Sequence, residues 1–175
     1  MAEDFNFEDE NRPDDLFQRP PFEEDESESH DPGSLEEKEV KVVGVYERPE
    51  PQGGAGQQAT YVVLLRDSGS RSVLIWIGKF EAYSISLALE GATADRPITH
   101  DLLSNVINRM GGNVERILID DLWNDTYYAK VTIAIDGKTM DIDSRPSDAI
   151  ALGLRAKCPI FMIEGVLERA AVKEE

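Results

Sequence analysis

Cysteine and long hydrophobic runs are both scarce in this sequence of 175 residues. The single cysteine, Cys158, excludes an internal disulfide and zinc sites that need two or more cysteines, and we interpret it as a core thiol rather than a nucleophile. The longest apolar runs, residues 73–77 and 149–154, are far shorter than the roughly 20 residues that cross a bilayer. The chain is acidic from Glu3 onward, unlike the basic start of a secretory signal. We therefore expect a cytoplasmic protein that does not enter a membrane.

Positive charge is also scarce. The chain has 18 Lys and Arg against 35 Asp and Glu, a net charge of −17, which argues against a protein that coats DNA by neutralising phosphates. Residues 1–38 hold 15 of the acids and only 3 of the bases. High charge with little to bury predicts that residues 1–38 form a disordered acidic tail. Four phenylalanines lie in this tail, so it either solubilises the protein, binds a protein partner or folds back on the domain.

Hydrophobic periodicity from residue 39 predicts a single α+β domain over residues 39–168, with a frayed C-terminus at 169–175. Strands are predicted at residues 40–46, 60–66, 72–77, 114–122, 127–135, 139–143 and 160–163. Helices are predicted at residues 79–90, 99–110 and 146–156, with Leu102, Leu103, Val106, Ile107 and Met110 as the buried stripe of the second. Residues 47–59 are rich in proline and glycine and predict a loop. The order β-β-β-α-α-β-β-β-α-β, dominated by hairpins such as the one at Asp136-Gly137, favours a mixed, mostly antiparallel sheet.

Two segments repeat a short pattern before a predicted helix. Residues 95–102 read Asp-Arg-Pro-Ile-Thr-His-Asp-Leu, and residues 143–150 read Asp-Ser-Arg-Pro-Ser-Asp-Ala-Ile. Helix capping explains much of this pattern, because the hydroxyl of Thr99 or Ser147 can cap a helix and aspartates favour its positive end. Proline is also tolerated in a first helical turn.

Capping does not require the two arginines of the repeat, Arg96 and Arg145. An arginine beside the free N–H groups of a helix start would form a cradle for a phosphate. The alternative is an ion pair, formed by Arg96 with Asp95, or by Arg145 with Asp143 or Asp148. The sequence leaves both interpretations open.

Few other residues point to a chemistry. His100 is one of two histidines, and it could act as a general base or a metal ligand, or lie exposed in the first turn of a helix. Asp141 and Asp143 face the same way on a predicted strand, and their oxygens would suit Mg²⁺ or Mn²⁺. Glu81 and Glu90 point to opposite sides of one helix and cannot share an ion within a subunit.

Several blocks of the sequence, in order, resemble the bifunctional nuclease family of DNase–RNase domains. The matching blocks are residues 75–82 (Ile-Trp-Ile-Gly-Lys-Phe-Glu-Ala), 88–91, 96–103, 125–129, 144–152 and 159–161. The resemblance extends over residues 39–168. The chain departs from the family pattern at Asn124-Asp125-Thr126, where the family often has Asp-Gly-Thr, and in its long acidic tail.

The resemblance implies a nuclease that cleaves DNA and RNA with little sequence preference. From the residues we expect hydrolysis assisted by Mg²⁺ or Mn²⁺, in which the ion activates a water molecule, and we expect no organic cofactor. The candidate catalytic residues are His100, Asp101, Arg145 and Asp148. The candidate phosphate-binding residues are Arg96, Arg145, Thr99 and Ser147. The candidate metal ligands are Glu81 and Asp143, with Asp101 and Asp148 either binding the ion or orienting the other residues.

The acidity of the domain is unusual for a protein that binds nucleic acid. A local basic face or a groove formed by self-association as a homo-oligomer would resolve this. The basic residues that could form such a face are Arg66, Arg71, Lys79, Arg96 and Lys130. The alternative function is a non-catalytic regulatory module that binds an anion or a protein.

Overall fold

This computed structural model describes residues 33–48 and 59–172 of the chain. These residues contain an eight-stranded sheet and four helices. The strands are β1 (Glu37–Arg48), β2 (Thr60–Asp67), β3 (Ser72–Ile77), β4 (Gly112–Trp123), β5 (Thr126–Ile135), β6 (Lys138–Ser144), β7 (Ile160–Ile163) and β8 (Ala171–Val172). The helices are α1 (Lys79–Glu90), α2 (Thr99–Arg109), α3 (Pro146–Ala156) and α4 (Glu164–Ala170). The strands lie in the order β6-β5-β4-β7-β1-β2-β3-β8, and β4 and β7 are parallel, whereas the other neighbours are antiparallel. The predicted α+β class with a mixed, mostly antiparallel sheet is confirmed.

Two tight turns set the register of the β4–β5–β6 meander. Asp136 and Gly137 have φ values of 51° and 75°, and Asn124 and Asp125 have φ values of 47° and 59°. Two consecutive left-handed residues form the turn type whose twist matches that of antiparallel strands. The hairpin predicted at Asp136-Gly137 is confirmed.

Helix α3 lies at the centre of the helical layer, where it contacts α1, α2, β4 and β5. Its side chains Ile150 and Leu152 are buried in the same core cluster as Ile117 of β4. Gly153 brings α3 close to the sheet, because a Cβ atom at this position would lie 2.6 Å from Cγ1 of Ile117. This packing fixes the first turn of α3 relative to α1 and α2, which is where the candidate site lies.

The C-terminal region differs from its prediction. Residues 169–172, predicted to fray, complete α4 and form β8, which pairs with β3. Val166 and Leu167 of α4 are fully buried, and this apolar pair anchors a segment too short for periodicity to reveal. Residues 173–175 lie outside the described residues.

The predicted buried stripe of α2 is largely wrong. Of its five apolar residues only Ile107 is buried, whereas Leu102, Leu103, Val106 and Met110 are exposed. Leu103, Val106 and Met110 line an open cavity instead of a packed core. Periodicity shows that a helix has an apolar face, but it does not show what covers that face.

Two predicted segments fall largely outside the described residues. Of the predicted tail at residues 1–38, residues 1–32 are not described, and of the predicted loop at residues 47–59, residues 49–58 are not described. Strand β1 begins at Glu37, inside the predicted tail. Within the described ranges, no helix has the length and apolarity needed to span a membrane.

Candidate functional site

A chain of hydrogen bonds joins the three helices at one point. Nε2 of His100 lies 3.1 Å from Oδ1 of Asp148, and Nδ1 of His100 lies 2.9 Å from Oγ of Ser84. An ionised carboxylate can only accept, so Nε2 carries the proton and Nδ1 accepts from the Ser84 hydroxyl. Ser84 of α1, His100 of α2 and Asp148 of α3 thus form one chain of hydrogen bonds, which we call the relay.

The carboxyl group of Asp148 is held in its ionised form. Burial raises the pKa of Asp148, but the hydrogen bonds donated by Arg145 and His100 outweigh burial and lower the pKa below its ordinary value. The hydrogen bond with Asp148 in turn raises the pKa of Arg145. A lasting negative charge on Asp148 orients the His100 ring and would stabilise an imidazolium if His100 gained a proton.

Arg145 bridges two carboxylates. Its Nε lies 2.7 Å from Oδ2 of Asp148, and its Nη2 lies 3.1 Å from both Oδ1 of Asp148 and Oε1 of Glu81. Glu81 folds back over Gly78, which precedes α1 and has no Cβ to block the carboxylate. The ion pair between Arg145 and Asp148, one of the two interpretations of Arg145, is therefore present. Two thirds of the Arg145 side chain is still exposed, so the guanidinium remains accessible to a ligand.

The repeated Arg-Pro pattern does not have the same structure at its two positions. Arg145 is the N-cap of α3, whereas Arg96 lies two residues before Ile98, the N-cap of α2. Neither Thr99 nor Ser147 caps its helix, because both lie in the first turn and neither helix has a side-chain cap bond. Arg96 thus lies two positions farther from its helix start than Arg145 does, and Arg96 lines neither of the cavities described below.

Asp101 lies apart from the relay. Its Oδ1 accepts a hydrogen bond of 2.6 Å from Nε of Arg155, and its Oδ2 accepts one of 3.0 Å from the backbone N–H of Ile98. Burial raises the pKa of Asp101, but the hydrogen bonds from Arg155 and Ile98 outweigh burial, so the pKa lies below its ordinary value. These contacts fasten α2 to α3.

Two cavities meet at the side chains of Glu81 and Arg145. The larger, of about 930 Å³, lies between α2 and β6, and we call it the α2–β6 groove. Its walls are mainly apolar, and its polar lining is Glu81, Ser84, Thr99, His100, Asp143, Ser144, Arg145 and Asp148. The smaller cavity, of about 270 Å³, includes Trp76, Tyr127 and Ser147. Glu81 and Arg145 line both cavities, so Arg145 can be approached from either side.

The predicted metal ligands, Glu81 and Asp143, both belong to the part of the chain that the structure describes. No three His, Cys, Asp or Glu side chains in that part are grouped for metal binding. Glu81 and Asp143 both line the groove, but Glu81 is paired with Arg145. A cation bound between Glu81 and Asp148 would have to displace the guanidinium, so the donor set as arranged fits Arg145 rather than Mg²⁺ or Mn²⁺.

Two residues of the predicted basic face form ion pairs with carboxylates of the domain, and Cys158 is partly buried. Within the proposed basic face, Arg71 is bound to Asp67 and Glu164, and Lys130 is bound to Asp120. Cys158 is partly buried and burial raises the pKa of its thiol, which agrees with its interpretation as an unreactive thiol.

Sequence reasoning missed Ser84, the residue that completes the relay. A serine on the buried face of a helix is a weak signal, because most such residues bond to the backbone of their own helix. Ser84 follows Glu81 by three residues in α1, and this spacing is the only sequence signal that places the two side chains on one face of the helix.

Similarity to known proteins identifies the family of this chain. A model of the bifunctional nuclease domain matches residues 62–175. An uncharacterized protein of Mycobacterium tuberculosis is 38% identical over 136 residues, which cover 77% of this chain and 76% of that protein. Bifunctional nuclease 1 of Oryza sativa subsp. indica is 34% identical over 104 residues, covering 57% of this chain and 31% of the rice protein. Bifunctional nuclease 2 of Arabidopsis thaliana is 24% identical over 117 residues, covering 63% of this chain and 36% of that protein. Since the domain model matches well over half of its length, the chain belongs to the bifunctional nuclease domain family.

Proposed function

We propose that this protein hydrolyses phosphodiester bonds of DNA and RNA at the cluster formed by Ser84, His100, Arg145 and Asp148. The observation that carries the proposal is the relay, in which an ionised Asp148 and a hydrogen-bonded Ser84 hold His100 in one tautomer. An oriented imidazole next to an accessible guanidinium is an arrangement suited to proton transfer at a bound phosphate. The names of the plant relatives agree with this class of reaction.

Each residue has a distinct role in the proposed reaction. Arg145 binds the non-bridging oxygens of the phosphate through the exposed part of its guanidinium. A water molecule attacks phosphorus and gives its proton to Oγ of Ser84, while the Ser84 hydroxyl proton passes to Nδ1 of His100. Asp148 stabilises the imidazolium that results. The proton on Nδ1 then returns to Oγ of Ser84 while the Ser84 hydroxyl proton passes to the oxygen of the leaving strand, as the bond from phosphorus to that oxygen breaks.

The charge around the cluster favours a second candidate function. Glu81, Asp143 and Asp148 place three carboxylates near one arginine, and these would repel a phosphate. The alternative is a non-catalytic regulatory module that recognises a protein or an anion through the same cluster. It predicts binding without turnover.

The test is cleavage of labelled single-stranded DNA and RNA by the full chain in EDTA, Mg²⁺ or Mn²⁺. We expect His100→Asn and Asp148→Asn each to lower the rate by about 100-fold or more, as removal of a general acid–base group does. His30→Asn, purified identically, is the matched control because it removes the other histidine, and it should cleave like the wild type. Cleavage that persists in the His100 and Asp148 variants would refute the site, and folded protein that cleaves neither substrate would favour the binding module.

A further inference from the structure

Strands β1, β2 and β3 turn one face to the core and the other face away from it. Val63 and Leu65 of β2 and Val73 and Ile75 of β3 are buried in the core cluster. Because side chains alternate along a strand, the residues between them lie on the opposite face, which we call the outer face of β1–β3. The strand pairing places in its rows Lys41, Gly44, Tyr46 and Arg48 of β1, Thr60, Val62, Leu64 and Arg66 of β2, and Ser72, Leu74 and Trp76 of β3.

Two exposed aromatic side chains share one row of the outer face. Tyr46 pairs with Val62, and Val62 pairs with Trp76, so the three side chains point the same way. Tyr46 is 49% exposed and Trp76 is 54% exposed, whereas Val62 between them is buried. The two aromatic residues are two strand spacings apart, roughly 10 Å. Aromatic side chains arranged across an open sheet are the means by which sheet-based RNA-binding domains stack two or three unpaired bases.

Positive charge accompanies the aromatic row. The charged residues of the outer face as defined above are Lys41, Arg48 and Arg66, and this described set contains no Asp or Glu. The guanidinium of Arg48 lies 5.7 Å from the centre of the Trp76 ring. Since the whole chain has a net charge of −17, this face is a local exception to its acidity. Cations beside exposed aromatic rings complement the phosphates and bases of a single strand.

The outer face borders the candidate site. Trp76 also lines the smaller cavity, and Arg145 lines the same cavity. A strand bound on the outer face would therefore reach Arg145 through the smaller cavity, without crossing the α2–β6 groove. This continuity favours a substrate over an unrelated partner as the occupant of the outer face.

We propose that the outer face of β1–β3 binds single-stranded nucleic acid, with unpaired bases stacked on Tyr46 and Trp76 and phosphates beside Lys41 and Arg48. The nature of this ligand rests on the proposed function, in which the neighbouring cluster cleaves DNA and RNA. Charge alone would also permit residues 1–38, with 15 acids and 3 bases, to occupy this face. The shared lining at Trp76 and Arg145 favours the nucleic acid.

The first test measures binding of labelled oligo(dT) of about 12 nucleotides, a length within the range that one single-strand-binding domain covers. Fluorescence anisotropy is recorded in EDTA with the full chain carrying His100→Asn, so that the probe is not cleaved. We expect Tyr46→Ala and Trp76→Ala each to raise the Kd by about 5-fold or more, as loss of one stacked base does. Trp76→Phe keeps a ring and should restore most of the affinity.

Tyr128→Ala is the matched control for loss of an exposed aromatic side chain. Tyr128 is 42% exposed and belongs to β5, outside the outer face of β1–β3. Its variant should bind oligo(dT) like the parent. Equal losses in the Tyr128 and Trp76 variants, or no loss in the Tyr46 and Trp76 variants, would overturn the proposal.

An abasic strand of the same length separates stacking from charge, because it keeps the phosphates and lacks the bases. We expect it to bind more weakly than oligo(dT) and to be insensitive to Trp76→Ala. Arg48→Gln should lower the slope of log Kd against log salt concentration by about 0.7, the value for one phosphate contact on a single strand. Equal binding of the two strands would refute stacking. A full chain that binds neither strand would also refute the proposal and would leave residues 1–38 as the occupant that charge favours.

These measurements separate this proposal from the proposed nuclease activity. Oligo(dT) binding that depends on Tyr46 and Trp76, in a wild type that does not cleave, would support the binding face and refute the nuclease. Cleavage that depends on His100, with a Kd unchanged in the Tyr46 and Trp76 variants, would refute the binding face and leave the nuclease supported.

Discussion

Nε2 of His100 donates a hydrogen bond of 3.1 Å to Oδ1 of Asp148, although 47 residues separate them along the chain. Both residues lie in the first turn of a helix, His100 in α2 and Asp148 in α3. The contact exists because α3 packs against both α1 and α2. It determines the tautomer of the only histidine in the described part of the chain, and the first prediction follows from it.

Ser84→Ala and Asp148→Asn should change the state of the His100 ring in different ways. In the wild type, nitrogen NMR should show Nε2 protonated and Nδ1 unprotonated at neutral pH, because Asp148 accepts and Ser84 donates. Asp148→Asn replaces one acceptor oxygen with an amide donor. When the remaining oxygen accepts from Nε of Arg145, the donor faces Nε2 of His100 and should populate the other tautomer. Ser84→Ala keeps the acceptor, so the tautomer should remain, and the Nδ1 resonance should shift.

The sequence makes this measurement simple, since the chain has two histidines. His30→Gln removes the second signal and serves as the background for all variants. An unchanged tautomer in Asp148→Asn would contradict the assigned hydrogen-bond directions.

Arg145→Gln should raise the pKa of Asp148. Burial raises the pKa of Asp148 and Arg145 provides the strongest of the contacts that lower it, so the loss of Arg145 leaves burial less strongly opposed. Carboxyl carbon NMR as a function of pH would measure the change. Arg96→Gln is the control, because the structure places Arg96 outside the cluster, and it should leave the pKa unchanged.

The pair formed by Asp101 and Arg155 should make the folded state sensitive to acid. The pKa of Asp101 is lowered in the folded state, so its contribution to stability is present above the unfolded pKa of about 4 and is lost as pH falls through the lower, folded pKa. Urea unfolding from pH 7 to pH 3 should therefore show a declining free energy of unfolding below about pH 4.

Asp101→Asn should cost about 2 kcal/mol at pH 7, because a part-buried hydrogen bond to a charged group is lost, and should flatten the decline in acid. Glu36→Gln is the matched control for loss of a carboxylate. Its pair with Lys38 is exposed, so the change should stay within about 0.5 kcal/mol. A decline of the same steepness in Asp101→Asn and the wild type would show that other carboxylates cause it.

Asp125→Gly should stabilise the domain by about 0.5–1 kcal/mol. Asp125 has a φ of 59°, in the left-handed region that costs most residues energy and that glycine adopts freely. This is the position at which the chain departs from the Asp-Gly-Thr of the family pattern. Thermal unfolding would measure the gain, and Asp125→Ala should not stabilise, because alanine also has a Cβ. Equal stability of the glycine and alanine variants would show that the turn is not strained.

The order of the elements could be predicted from the sequence because each depends on local patterns. Alternating apolar residues, glycine-rich turns and helix-start residues placed ten elements in the correct order. Helix α4 and strand β8 were not predicted. A helix of seven residues and a strand of two are too short to show a hydrophobic repeat in the sequence.

The candidate site could be predicted only in part. The Arg-Pro repeat indicated the starts of α2 and α3, and His100, Arg145 and Asp148 do meet there. The same repeat placed Arg96 on equal terms with Arg145, whereas α2 begins three residues after Arg96 and α3 begins one residue after Arg145, so Arg96 lies away from its helix start. The exposure of α2 depended on the open cavity between this helix and strands β5 and β6, which no local pattern encodes.

The sequence alone thus determined the class of fold, the family and the three helix starts, since all of these follow from short-range spacing and composition. Only the tertiary structure decided which side chains meet. The packing of α3 against its neighbours brought Ser84 to His100 and the Arg145 guanidinium between Glu81 and Asp148. Such contacts depend on distances between segments far apart in the chain, because a hydrogen bond is lost when its two atoms move apart by about an ångström.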